Sequence, residues 1–445
     1  MQTSFTLQQL ADPDIAEADS VLRRCVHCGF CLATCPTYVE LGNELDSPRG
    51  RIYLIKDMLE NDKPASEEVT THIDRCLSCL ACMTTCPSGV DYMRLVDQAR
   101  IRIEKTYRRP FLDRLFRTVL ANVLPYRRRF RLALRLAAIG RSALPFVKRF
   151  GVAGQRLEAM LSLAPEQIPP RSTIRPGTSF TPEGERRGRV ALMNGCAQSV
   201  LDPDINIAAV RLLSRFGVEV VFAKGEGCCG AMVHHMGRDG QARRLARANI
   251  DAWIDEMEGE GLDAILTTTS GCGTTLKDYG HLFRDDPAYA EKARRVAEHV
   301  MDVSEYLAAL KLPPSKRGGD LVVAYHAACS LQHGQRVTLP PKALLRNAGF
   351  EVRDVPEGHL CCGSAGTYNI LQPEIAARLR DRKVKNIASV APDVIAAGNI
   401  GCITQIASGT HIPVLHTVEL LDWAYGEGEA DFLRPGGSPF GEGVP

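Results

Sequence analysis

Sixteen cysteines stand in this chain, and they divide into four groups of four with none left over. The groups are Cys25, Cys28, Cys31 and Cys35; Cys76, Cys79, Cys82 and Cys86; Cys196, Cys228, Cys229 and Cys272; and Cys329, Cys361, Cys362 and Cys402. Cysteines needed only for packing would not sort this way. Thiolates at close, repeated spacing are ligands for soft metals, and pairs of thiols can also exchange electrons as disulfides.

The first two groups have one spacing. Cys25-Val-His-Cys28-Gly-Phe-Cys31-Leu-Ala-Thr-Cys35-Pro36 and Cys76-Leu-Ser-Cys79-Leu-Ala-Cys82-Met-Thr-Thr-Cys86-Pro87 both read C-x2-C-x2-C-x3-C-P. This is the run of bacterial ferredoxins with two cubane clusters, in which the fourth cysteine of each run serves the other cluster. The spacing therefore predicts one 4Fe-4S cluster on Cys25, Cys28, Cys31 and Cys86, and a second on Cys76, Cys79, Cys82 and Cys35. Structural zinc is the bland alternative, but it uses paired CxxC ligands and leaves no third cysteine in a run. A helix near 49–61 is predicted between the runs. Arg49 and Arg51 within it are candidates for tuning cluster potential, or equally a helix start and a surface pair.

The last two groups form an internal repeat. Cys196 and Cys329 are 133 residues apart, Cys228–Cys229 and Cys361–Cys362 are also 133 apart, and Cys272 and Cys402 are 130 apart. Apolar runs at 189–193 and 321–325 predict strands leading to the first cysteine of each group. Helical patterns at 205–216 and 342–348 follow, then strands at 218–222 and 351–355, then Cys-Cys-Gly. Further strands at 264–268 and 393–397 lead to the last cysteine. Alternating β and α elements predict two α/β domains, whose ligand sites lie off the carboxyl ends of strands. The four cysteines of each repeat would then converge, to hold a further cluster or to act as redox thiols. Adjacent cysteines usually point apart, which favours two irons of a cluster over one chelated ion. Gly225-Glu-Gly-Cys-Cys-Gly230 also fits a dinucleotide-binding pattern, a weak signal that the recurrence of the paired cysteines outweighs. Nothing else suggests a flavin or nicotinamide of the chain's own. His27, His234, His235, His326 and His359 lie near the cysteines as candidate ligands or proton relays, though such histidines are more often hydrogen-bonding neighbours.

These elements need a frame. At 445 residues, with 45% hydrophobic and 24% charged residues, the chain has the composition of a soluble protein of about three domains. Residues 108–149 carry twelve Lys or Arg against Asp113 alone, a net of +11, while the whole chain carries +2. Apolar residues recur there at helical spacing, which predicts amphipathic helices broken near Pro125 and Pro145. A basic amphipathic helix suits an anionic membrane surface; a packed helical linker is the equal alternative. Nucleic acid is not an expected partner. Residues 164–189, rich in Pro, Gly and charge, read as an extended linker. No secretory signal and no apolar run of about 18 residues are seen, so the chain is expected in the cytoplasm, where sixteen reduced thiols are metal ligands.

The segments CVHCGFCLATCPTY, DSPRGRIYLIK, DRCLSCLACMTTCPSGV, TSGCGTTLKDYG and HLCCGSAGTYNILQPE resemble the iron–sulfur subunits of flavin-linked 2-hydroxy-acid dehydrogenases, most closely the glycolate oxidase (glycolate dehydrogenase) family. The resemblance is weakest at 105–188. It implies a multidomain α+β and α/β fold: a helical ferredoxin-like domain with two 4Fe-4S clusters (1–104), a basic helical connector and linker (105–188), two CCG domains (189–310 and 320–425) and a tail (426–445) expected to be disordered. It further implies FAD-containing partner subunits that oxidise glycolate to glyoxylate, electron transfer through this chain to membrane quinone, and a peripheral place on the cytoplasmic face of the membrane. The alternatives are lactate or another 2-hydroxy acid as substrate, a thiol–disulfide reductase centred on the CCG domains, or a docking scaffold. One departure stands out. Heterodisulfide reductase relatives end each CCG domain in CxxC, whereas here Cys272 and Cys402 stand alone, which puts a non-cubane cluster in doubt.

Overall fold

A computed structural model describes residues 1–140, 151–165 and 167–427. The N-terminal segment is helical because its sequence supplies caps as well as amphipathic faces. Asp12 caps Pro13–Arg24, Ser47 caps Pro48–Glu60 and Ser66 caps Glu67–Asp74, each side chain accepting from a backbone N–H of the first turn. Pro13 and Pro48 occupy first helical positions, where no N–H is needed. With Tyr92–Thr106 these helices close a core around Leu22, Ile55, Ile73, Leu95 and Ile103.

The connector forms helices Phe111–Val123, Arg127–Gly140 and Gly151–Leu163. The first break falls at Pro125, as its missing N–H requires; Pro145 lies outside the described residues. Each helix turns a narrow face inward, with Leu120 and Ala121, Phe130 and Leu134, and Leu161 buried. The segment read as an extended linker does more than connect: it buries Ile174 and supplies a short strand, β1 (Ser179–Phe180).

Two sheets follow. The first contains β1, β2 (Gly188–Leu192), β3 (Val218–Val221), β4 (Ala264–Thr267) and β5 (Val300–Asp302), in the order β1-β3-β2-β4-β5. All pairs are parallel except β1 with β3. The second contains β6 (Val322–His326), β7 (Glu351–Asp354), β8 (Val394–Ala397) and β9 (Val414–His416), in the order β7-β6-β8-β9, all parallel. Both have the doubly wound order, with a switch point between β2 and β4 and between β6 and β8. The cysteines follow these same strands, so topology alone gathers them at the two crevices. The sheets are not independent: Val190, Leu213, Val220 and Leu266 share one continuous core with Val323, Leu345, Ile395 and Ile406. Arg211 and Arg215 from one repeat grip Asp422 of the other at 2.8 and 3.0 Å.

The expected tail lies, from residue 428 onward, outside the described residues. Strands β5 and β9, three residues each, carry too short an apolar pattern to be read in advance.

Gly363, next to the second cysteine pair, has φ +90°, and a Cβ there would lie 2.5 Å from the Ala376 carbonyl oxygen. Gly363→Ala should therefore destabilise by more than the ~1–2 kcal/mol of left-handed strain alone. Gly261→Ala, at φ +82° with open space around it, should lose only the strain. Denaturant unfolding of the two variants checks the difference.

Candidate metal centres

The two ferredoxin-type runs adopt one backbone course. The residue before each second cysteine is left-handed (His27 φ 54°, Ser78 φ 50°), and so is the residue after it (Gly29 φ 85°, Leu80 φ 61°). Non-glycine residues held in this region are strained, and here the strain turns the loop so that successive thiols face inward. The result is two cavities. One is lined by Cys25, Cys28, Cys31 and Cys86, with Cys82 on its wall. The other is lined by Cys35, Cys76, Cys79 and Cys82. Each cavity thus draws thiols from both runs.

A buried cation stands at the second cavity. Arg51 is 1% exposed; its guanidinium donates to the His72 carbonyl at 2.7 Å and to Thr37 Oγ1 at 2.9 Å, and Nη1 lies 3.8 Å from Cys35 Sγ. Asp46, fully buried, is its counter-charge at 3.6 Å and is shared with Arg75 at 2.9 Å and His72 at 2.8 Å. Tyr92 directs its hydroxyl to Cys76 Sγ at 3.8 Å, and the Ser78 N–H donates to the same sulfur at 3.5 Å. Donors to sulfur and nearby positive charge both stabilise a reduced, more negative cluster. Arg49 is more peripheral, donating to the His27 carbonyl at 3.2 Å and pairing with Glu44.

In the first repeat the thiols make a chain of contacts, Cys196 to Cys228, Cys228 to Cys229 and Cys229 to Cys272. The second repeat copies it: Cys329 meets Cys361 at 3.8 Å, Cys361 meets Cys362, and Cys362 meets Cys402. The adjacent cysteines therefore stand side by side, contrary to the expectation that they point apart, because Gly230 and Gly363 turn left-handed straight after them. Seven of these eight thiols line one open apolar cavity of about 590 Å³ between the repeats, walled on the far side by Leu120, Phe130, Leu134 and Leu161 of the connector. Burial raises the thiol of Cys31 to about 11, and Cys79 and Cys82 well above the usual range. Contact with Cys228, then burial, does the same to Cys196.

The candidate histidines scatter. His27 borders the first cavity. His234 and His235 face Asp97 of the N-terminal segment at 3.4 and 4.0 Å. His359 is tied only through its carbonyl, to His333. His326 alone joins thiols, lying with Cys362 and Cys402 in a buried group whose ligand atoms are within 4.8 Å of one another.

Two polar residues escaped the sequence reading. Lys383, 2% exposed, donates to the Glu357 carbonyl beside the second cysteine group. Asn249 bonds the Cys228 carbonyl and the Gly227 N–H. A signal was present for Lys383: it continues the apolar helix face of Ile375, Leu379 and Ile387 at four-residue spacing, where a lysine is out of place.

Comparison with known proteins now gives these sites a context. Residues 21–90 match the 4Fe-4S dicluster domain, and residues 190–277 and 323–407 each match the cysteine-rich CCG domain. The glycolate oxidase iron–sulfur subunit of Escherichia coli K12 is 41% identical over 95% of this chain and 99% of its own. The probable glycolate oxidase iron–sulfur subunit of Bacillus subtilis 168 is 33% identical over 87% of this chain and 89% of its own. Lactate utilization protein A of Bacillus licheniformis is 30% identical over 53% of this chain. The chain belongs to the family of glycolate oxidase iron–sulfur subunits. It is an iron–sulfur component of an oxidoreductase, and 4Fe-4S clusters are its cofactors. The cavities fit that cofactor, since each presents four convergent thiols and a surface closed to most polar groups. When bound, the clusters supply one-electron redox chemistry. The protein supplies the thiols, the Arg51 charge and the N–H donors to sulfur.

Because burial holds the thiols of Cys31, Cys79 and Cys82 in the protonated form and iron binds the thiolate, loading displaces protons. Reconstitution of the apo-protein with iron and sulfide should release protons into weakly buffered medium and weaken as pH falls from 8 to 6. Cluster absorbance against pH, with a dye to count protons, tests this; affinity independent of pH would contradict it.

Proposed function

We propose that this chain is the electron-transfer arm of a glycolate dehydrogenase. An FAD-containing partner oxidises glycolate to glyoxylate, and this chain conducts the electrons to a membrane quinone. Cys25, Cys28, Cys31 and Cys86 hold one 4Fe-4S cluster, and Cys76, Cys79, Cys82 and Cys35 the other. The observation that carries this assignment is the pair of cavities, one lined by Cys25, Cys28 and Cys31 with Cys82 and Cys86 of the other run, the other by Cys76, Cys79 and Cys82 with Cys35 of the first. The division into a ferredoxin-like domain to 104, a connector to 188 and two CCG domains, 189–310 and 320–425, follows the same sites. The substrate reading rests on the two full-length relatives named for glycolate, against a lactate relative that covers about half of the chain.

The path leads onward through the second repeat. Leu77, Cys79 and Ala81 pack in one buried cluster with Cys361, Tyr368 and Ile375, so the second ferredoxin-type site abuts the second group of CCG thiols. Membrane contact is favoured by the outer face of the connector, where Phe111, Leu112, Leu132, Leu136 and Ile139 are exposed beside the exposed Arg108, Arg114, Arg128 and Arg135. Such a face suits anionic lipid. Part of the charge has a different task, since Arg109 and Arg117 bind Asp74 at 2.6 and 2.7 Å and Arg156 binds Asp113. No helix among the described residues is long and apolar enough to cross a membrane. The apolar cavity beneath the connector suits a lipophilic acceptor.

The test is anaerobic purification with the partner subunits, then addition of glycolate and, separately, lactate. Glycolate should bleach the cluster absorbance and lactate should not; bleaching by lactate alone would replace the substrate. Cys31→Ser and Cys82→Ser should each lose about four of eight ferredoxin-type irons and abolish quinone reduction. Normal turnover to quinone in either variant would overturn the crossed ligand sets.

A further inference from the structure

The two repeats share a fold but differ around their thiols at three matched positions. Strand register makes His326 and Met193 equivalent, each three residues before the first cysteine of its group, at the end of β6 or just past β2. Glu226 and His359 each stand two residues before a cysteine pair. Gly230 abuts Ala242 as Gly363 abuts Ala376, which makes Asn249 and Lys383 equivalent, seven residues further along each helix. The first repeat thus surrounds its thiols with Met193, Asn249 and Glu226; the second uses His326, Lys383 and His359.

We propose that His326 is an iron ligand, so that the second repeat holds a mixed nitrogen–sulfur centre. This rests on the reading of the chain as an iron–sulfur electron carrier. His326 is 2% exposed, and its Nε2 has no hydrogen-bond partner. The two other buried histidines among the described residues are satisfied, His416 by the Thr268 carbonyl at 2.6 Å and His72 by Asp46 at 2.8 Å, whereas His27, His234 and His235, which also carry an unpartnered ring nitrogen, are only half-buried. A buried ring nitrogen with no partner is costly unless something absent from the protein occupies it. Its neighbours name that occupant. The ligand atoms of His326, Cys362 and Cys402 lie within 4.8 Å of one another, and Cys361 and Cys329 continue the group at 3.8 Å. Nitrogen and sulfur ligands on one metal atom sit roughly 3.3–3.8 Å apart, given bonds of about 2.0–2.3 Å, so a small inward adjustment lets all three bind one metal atom. The first repeat has a thioether at the matched position and holds an all-thiolate site.

The substitution has a redox meaning. Neutral imidazole in place of thiolate removes negative charge from a cluster and raises its potential. The buried ammonium of Lys383 acts in the same direction. The centre also lies against the second ferredoxin-type site through Cys79 and Cys361. A higher potential there makes electron flow from the ferredoxin-like domain into the second repeat downhill.

The experiment uses the full chain, purified anaerobically with its clusters and labelled with 15N-histidine. Pulsed electron paramagnetic resonance should find histidine-nitrogen coupling on one signal that belongs to neither ferredoxin-type cluster. His326→Met, the residue of the first repeat, should abolish that coupling and either lower the midpoint potential of the signal or remove it. His326→Cys should keep the iron and lose the coupling, which separates ligation from folding. The two ferredoxin-type signals should be unchanged throughout; their absence from the wild-type protein would refute the parent reading instead. Wild-type protein without histidine coupling, an unchanged signal in His326→Met, or zinc in this place would overturn the proposal.

Discussion

Everything in this molecule depends on one buried seam. Leu77, Cys79 and Ala81 of the second ferredoxin-type run pack with Cys361, Tyr368, Ile375 and Leu379 of the second repeat. Polar contacts hold the seam from outside. Arg382 reaches Glu40 at 3.0 Å and Thr84 pairs with His333 at 2.7 Å, while Arg94 ties the same N-terminal segment to Asp278 of the first repeat with two bonds of 2.6 and 2.8 Å. An apolar seam with a charged rim excludes water from the thiols while fixing the register of the two domains.

Within the repeats, topology does what the seam does between domains. Doubly wound order places a crevice between β2 and β4, and again between β6 and β8. The cysteines follow those strands, so four thiols separated by some seventy residues meet without a dedicated binding loop. The cost is burial of ionisable groups. Burial lowers the ammonium of Lys383 from its usual range, while the surrounding thiols act in the opposite sense. A cluster held by these thiols would replace neutral S–H groups with anionic thiolates beside the ammonium, which couples the fold to its cofactor.

The connector divides its charge between two tasks. Arg109, Arg117 and Arg156 turn inward to the Asp74 and Asp113 carboxylates and staple the helices to the domains. Arg127 donates to the Gly195 carbonyl beside Cys196 and stands 3.9 Å from buried Glu226. Arg108, Arg114, Arg128 and Arg135 lie outward among exposed apolar side chains. The packed-linker reading describes Arg109, Arg117 and Arg156, and leaves these four exposed arginines of the same connector unexplained.

Spacing is a local property, and what it controls was legible. The C-x2-C-x2-C-x3-C-P runs, the offset of the two repeats and the strand before each cysteine all follow from covalent reach and from alternation of apolar residues. So do the helix at 48–60, with Ser47 as its cap, and the break at Pro125. What the sequence could not decide is which distant groups meet. The balance of Arg51 against Asp46, the placing of Lys383 and His326 beside one set of thiols and of Asn249 and Met193 beside the other, and the seam joining Cys79 to Cys361 arise only when separate helices and strands pack. These are interactions between surfaces. Each depends on shapes that no single segment possesses, and in a buried, low-dielectric place they set the electrostatics that distinguish otherwise identical sites.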